Sequence, residues 1–232
     1  MQTLEPRKIP RQGRSRATVD AILDACAEGL TGRGYDALTT NAISERAGVS
    51  IGTLYEYFPN REAIAATLAG RAFRRTEAAM RTSLRDVIAA GMNRLEGAEH
   101  MLFAGLEVLV AERAVFQVLL AQAPFLLQLP VVREARASLI DLSQEVRALA
   151  GSRLNLPMPE GDAWLIAQML SAAMVEIACL DIGDEGRRRL TRELARLTYR
   201  MAMGRDTRPE LLAKPFGDAG RLWDCNPNAY QI

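Results

Sequence analysis

The sequence predicts an all-α protein, with a small three-helix domain near the N-terminus and a larger helical domain behind it. Three observations predict this. Ala, Leu, Arg and Glu, which lose little on entering a helix, are abundant. Runs of β-branched residues alternating with polar ones are absent. Apolar residues instead recur at spacings of three and four, as in Val19, Ile22, Leu23, Cys26 and Leu30.

The bulk numbers fit one large domain or two small ones. The chain has 232 residues, 49% hydrophobic and 25% charged, enough to bury a core without disulfides or metal. The formal net charge is only +1, so any surface for a polyanion must come from local charge placement. Cys26, Cys179 and Cys225 lie far apart, without metal-ligand spacing, and fit a reducing cytoplasm. The first residues are polar and basic, and no signal-peptide apolar run follows them. Ala114 to Val132 carries no charge, but Gln117, Gln122, Gln128, Pro124 and Pro130 interrupt it; this is read as a buried helix and its following turn rather than a membrane span.

The elements follow in order. A basic arm, residues 1–14, holds Arg7, Lys8, Arg11 and Arg14, with Arg16 just beyond it. Such an arm suits phosphate contacts or minor-groove entry. The first helix spans about 15–32 and ends at Gly32 and Gly34. Two very short helices follow, about 41–47 and 51–57, with Gly48-Val49-Ser50 between them. A longer helix starts after Asn60, a good N-cap, with Glu62 in its first turn and a stripe of Ile64, Leu68 and Ala72. Further helices are expected at about 78–90, 98–122, 131–150, 162–180 and 185–203, with breaks at Gly91, Gly97, Pro124–Pro130, Leu156–Pro159 and Gly183. The division is therefore 15–75 for the first domain, 76–204 for the second, and 205–232 for an irregular tail rich in Pro and Gly.

The segment 38–58 has the pattern of a helix-turn-helix. Thr40 can cap its first helix, and Ile43 and Ala47 face inward four residues apart. Gly48 supplies the positive φ of a tight turn, and Val49 plugs the angle between the helices. Ser50 caps the second helix, which Leu54 and Phe58 pack onto the core. Ile51, Gly52, Thr53, Tyr55 and Tyr57 are then left at or near the outer face. A recognition helix reads base edges with its N-terminal residues. Gly52 would admit the DNA backbone closely, Thr53 suits a base edge or thymine methyl, and the tyrosine hydroxyls suit phosphates.

These residues carry a resemblance. The segment from about Arg14 to Leu68 resembles the DNA-binding domain of the tetracycline-repressor-like (TetR/AcrR) family. The matching features are an Ala-rich first helix, Gly34-Tyr35, Leu38-Thr39-Thr40, Ala47-Gly48-Val49-Ser50, Gly52-Thr53-Leu54-Tyr55, Tyr57-Phe58 and Asn60-Arg61-Glu62. The resemblance implies a three-helix DNA-binding domain, a larger ligand-binding domain and a homodimer on a palindromic operator. It also brings Asn41 into the candidate DNA-contacting set, and Arg61 where the family commonly has lysine, keeping a positive charge for a phosphate. Repression relieved by a small apolar or amphipathic effector is the family expectation; the alternative is a ligand-independent regulator whose second domain only dimerises or binds a protein partner.

In the second domain, Ile166, Leu170, Ala173, Ile177 and Leu180, then Leu190, Leu194, Leu197 and Met201, form heptad-like seams on two successive helices. Doubled by a two-fold axis they would make a four-helix interface. Phe73, Phe103, Phe116, Phe125, Trp164 and Met169 could line an apolar pocket, with Glu107 and Glu176 as polar groups within it. The residues point away from catalysis: His100 is the single histidine, and no nucleophile-elbow, Walker, dinucleotide or metal-ligand pattern occurs. No cofactor and no membrane partner is expected.

Overall fold

The structure, a computed structural model, describes residues 13–149 and 160–203, and every regular element among them is helical. The order is α1 (Gly13–Arg33), α2 (Thr40–Arg46), α3 (Ile51–Tyr57), α4 (Arg61–Ala89), α5 (Arg94–Ala111), α6 (Arg113–Gln122), a 3-10 turn (Pro124–Gln128), α7 (Pro130–Leu149), α8 (Glu160–Cys179) and α9 (Gly183–Met203). The basic residues Arg7, Lys8 and Arg11, the Leu156–Pro159 break and the 205–232 tail lie outside the described residues. No described helix is long and apolar enough to cross a membrane.

The first three helices form a small core on the start of α4. The α1 stripe of Val19, Ile22, Leu23, Cys26 and Leu30 is buried as its spacing predicts. It meets Leu38 of the loop before α2, Ile43 of α2, Leu54 of α3, Phe58 just after it, and Ile64 and Leu68 from α4. The positive φ that the turn needs falls on Gly48, at 66°.

Two boundaries differ from the sequence reading. The expected break before residue 78 does not exist, since α4 is a single helix of 29 residues. Its middle, Arg74-Arg75-Thr76-Glu77, contains no helix breaker, and Thr76 bonds back to the Ala72 carbonyl at 2.9 Å without interrupting it. Conversely, the expected helix over 98–122 starts earlier, capped by Asn93 whose side chain accepts from the Glu96 amide, and is divided at Glu112. Glu112 leaves helical geometry with φ −97° and ψ 5°, and its carboxylate meets Arg75 at 2.7 Å. No Gly or Pro announces that corner.

The long α4 belongs to both domains. It packs against α1 on one side and extensively against α5 and α7 on the other. Arg71 of α4 reaches Asp24 of α1 at 2.7 Å. A second joint forms at α6, where Gln122 Oε1 accepts the Tyr35 amide at 2.7 Å. The Phe125 ring also stands edge-on to the Tyr35 ring, 6.2 Å between centroids.

Candidate nucleic-acid interface

The reading helix is set by its caps. Ser50 is extended (φ −68°, ψ 150°), and its hydroxyl accepts the Thr53 amide at 3.0 Å. One orphan donor of a seven-residue helix is thereby satisfied. Leu54 and Phe58 turn fully inward. Ile51, Gly52 and Tyr55 are exposed, and Thr53 is partly so with its hydroxyl 2.8 Å from that of Ser50. A Cβ added at Gly52 would meet only the Ser50 hydroxyl, at 3.7 Å, so the fold itself does not demand glycine there.

Three expectations are corrected here. Tyr57 is not on the outer face; it is 7% exposed and lies in the core. It stands three residues after Leu54 and one before Phe58, which puts it within the buried stripe of a helix. Thr40 is not the cap of α2. Thr39 is, accepting the Ala42 amide at 3.2 Å, while the Thr40 hydroxyl lies 3.0 Å from the Tyr55 hydroxyl and links the two short helices. Arg61 is not a free phosphate clamp. Its Nη1 donates to the carbonyls of Leu38, Tyr35 and Asp36 at 2.7, 3.2 and 3.3 Å, and its Nε to Glu62 at 3.1 Å. The guanidinium also lies over the Tyr35 ring at 4.6 Å. It fastens the α1–α2 loop to the start of α4.

Tyr35 is the hub of that loop. Its hydroxyl donates to Glu62 at 3.1 Å, and burial, then the Glu62 carboxylate, push its pKa up to about 12. Sequence reasoning used Tyr35 only as a motif residue and missed Gln122 altogether. Gln122 sits in the uncharged 114–132 stretch, where its amide reads as a polar interruption rather than as an acceptor for another domain.

Asn41 is exposed at the start of α2. The α3 helix, Ile51 to Tyr57, carries no cation and has Glu56 exposed. Positive charge for a polyanion must therefore come from elsewhere; Arg14 and Arg16, exposed at the start of α1, are available.

The eight residues expected to line a ligand pocket do not converge. Phe73 and Phe116 are buried and meet edge-on at 5.5 Å. Phe125 lies instead at the Tyr35 joint, and Trp164 and Met169 are 51% and 55% exposed on α8. Glu107 and Glu176 are exposed as well, and Phe103 is half-buried. Glu176 is surrounded by apolar residues in sequence, yet on a helix it shares its face with Met169, Ala172 and Leu180, all exposed.

The seam on α8 is turned from its expected position. Ile177 is buried, and Ile166, Leu170 and Ala173 face partly inward. The exposed apolar row is Leu165, Met169, Ala172 and Leu180, so of the expected five only Leu180 is open. On α9, Leu190 and Leu194 pack against the core while Leu197 and Met201 are exposed. His100 is exposed on α5, and among the described residues no cluster of His, Cys, Asp or Glu could hold a metal ion.

Residues 22–68 match the family described as "Bacterial regulatory proteins, tetR family". The chain is 38% identical over 65 residues to the HTH-type transcriptional repressor KstR of Mycolicibacterium smegmatis, covering 28% of this chain and 30% of that protein. It is 40% identical over 57 residues to KstR of Mycobacterium tuberculosis, 25% and 26% of the two chains. The chain thus spans less than a third of these curated relatives' length. In fold the likeness is longer. The fatty acid degradation regulator FadR of Bacillus halodurans superposes with a TM-score of 0.58 at 22% identity, covering 86% of this chain and 100% of the other. FadR of Bacillus subtilis, crystallised with stearoyl-CoA, gives 0.55 at 18% identity over 77% and 96%. The N-terminal helices, over residues 22–68, thus match the TetR family of bacterial regulatory proteins, and the helical body behind them shares the fold of FadR of Bacillus halodurans.

Proposed function

We propose that the protein is a sequence-specific DNA-binding transcriptional regulator, a repressor that leaves a palindromic operator when a small apolar or amphipathic molecule binds its second domain. The observation that carries the reading is α3: capped by Ser50, anchored by Leu54, Tyr57 and Phe58, and presenting Ile51, Gly52 and Tyr55 outward. Gly52, which the fold does not require, suits close approach of a DNA backbone. Tyr55, steadied by Thr40, suits a phosphate, and Thr53, Asn41 and Ser50 lie on the same short helices or their cap. Arg14 supplies charge, whereas Tyr57 and Arg61 act by holding the head together. Such a protein works where the chromosome is, in the cytoplasm.

One short helix contacts few base pairs, so a dimer with heads about 34 Å apart is needed for a palindrome. The exposed row of Leu165, Met169, Leu180, Leu197 and Met201 supports a second copy of this chain as its cover. The regulators that share the fold support an effector: one is complexed with stearoyl-CoA and another, AlkX of Dietzia, is implicated in biodegradation of n-alkanes. The test is fragment selection with purified protein, followed by gel shifts with Gly52→Val and Tyr55→Phe. Loss of binding with Gly52→Val and a clear weakening with Tyr55→Phe, both with the fold unchanged, are the expected results.

A further inference from the structure

The helical body behind the first three helices holds a half-buried guanidinium, Arg136, that meets no carboxylate among the described residues. Among the described arginines that are not solvent-exposed, Arg61, Arg71, Arg81, Arg187 and Arg192 each meet a carboxylate, and Arg94 meets the Tyr199 hydroxyl. Arg136 of α7 meets none among the described residues. Its Nε and Nη2 both donate to the Ser171 hydroxyl of α8, at 3.0 and 2.8 Å, and its guanidinium lies 5.8 Å from the centre of the Phe73 ring. Ser171 is 2% exposed and passes its own proton to the Gln168 carbonyl at 3.1 Å. Burial alone pulls the Arg136 pKa down, with no acid to offset it. A desolvated cation without a counterion is costly, and two of its five donors on one hydroxyl leave three for an anion.

The surroundings suit the rest of such a molecule. One turn on from Ser171, Met174 packs with Met80 against Gly105, where an added Cβ would lie 2.9 Å from both side chains. Phe73, beside the guanidinium, meets the Phe116 ring edge-on at 5.5 Å. Methionines are unbranched and re-pack readily, so this filling can yield to an apolar stem.

We propose that Arg136, oriented by Ser171, binds the anionic head group of the effector, a carboxylate or phosphate monoester on an apolar chain whose stem displaces Met80 and Met174. The inference rests on the reading of the protein as an effector-released regulator. It makes the ligand acidic, where an apolar pocket alone would accept neutral hydrocarbons or alcohols.

The test is calorimetric titration of the full chain with laurate, dodecyl phosphate and dodecanol, each below its micellar concentration. Laurate or dodecyl phosphate should bind, and whichever is preferred identifies the head group; dodecanol should bind at least about tenfold more weakly. Arg136→Gln should weaken the anionic probes about tenfold or more and leave dodecanol unchanged, with Arg136→Lys between the two. Ser171→Ala, which keeps the charge but frees it, should weaken them less. Equal affinity for dodecanol, no binding of either anion, or an Arg136→Gln protein that folds and binds laurate as the wild type does would each overturn the proposal. DNA binding by the ligand-free protein is measured in parallel. Its presence, with no response to either anion, sinks the head-group site and leaves the regulator intact; its absence sinks the regulator itself.

Discussion

At the scale of single residues, Tyr55 and Tyr57 show how two neighbours of one type divide between surface and core. Tyr55 is exposed and bonded to Thr40, while Tyr57 is buried. Tyr55→Phe is expected to weaken DNA binding about fivefold to tenfold with little change in stability, as measured by gel shift and thermal melting. Tyr57→Ala should instead cost about 3 kcal/mol of stability, the usual effect of emptying an aromatic site in a core, as read by urea denaturation. The sequence reading placed both tyrosines outward, although the position of Tyr57 at i+3 from Leu54 made its inward turn legible. The burial of Cys26 was legible in the same way, and it has a chemical consequence. Its thiol is pushed up to about 12 by burial, and the Tyr35 phenol also to about 12. Both keep their protons in the folded chain at pH values where the unfolded chain releases them. Their contribution to stability is complete below about pH 9 and declines as pH rises from there toward 12. Denaturation midpoints should therefore fall between pH 9 and 11; a flat profile would contradict the burial of these groups. Arg136 was not legible, because the lack of a counterion is a fact of three helices and no stretch of sequence contains it.

At the scale of elements, the small domain was read more accurately than the large one. Thr39, Gly48 and Ser50 each do a local backbone task, so a one-dimensional pattern suffices to place them. Even there, the choice between Thr39 and Thr40 as cap turned on a single position, since either can accept from an amide three residues on. The α4 run and the Glu112 corner were missed because one depends on a domain boundary that the helix ignores and the other on tertiary packing without a breaker residue. The α8 seam was missed because its heptad has two adjacent apolar rows, and only packing decides which faces inward. Gly34 has φ 79° and a Cβ there would lie 2.8 Å from Gln122 Oε1, which is held by the Tyr35 amide. Gly34→Ala should cost about 1–2 kcal/mol from the left-handed backbone alone and also loosen the Gln122 contact. Gln122→Ala should leave the head folded while reducing how far an effector shifts DNA affinity, measured as the ratio of dissociation constants with and without it.

At the scale of the whole molecule, continuous helices link the proposed reading head, the proposed dimer face and the half-buried Arg136. The continuous α4, the Arg71–Asp24 pair and the Gln122–Tyr35 bond give the second domain a direct mechanical hold on the first. An effector could release DNA only by the extent to which it prefers a head spacing that does not fit the operator. Leu197→Glu, placed in the exposed row of α9, should convert dimer to monomer in sedimentation and lower operator affinity by about a hundredfold or more, since each head alone reads one half-site. The decisive measurement is selection of bound fragments from genomic DNA by the purified, ligand-free protein. The account predicts enrichment of one palindromic sequence whose half-sites are a helical turn or a multiple apart, lost in Gly52→Val. A folded dimer that enriches no sequence, or whose enrichment survives Gly52→Val unchanged, would contradict it.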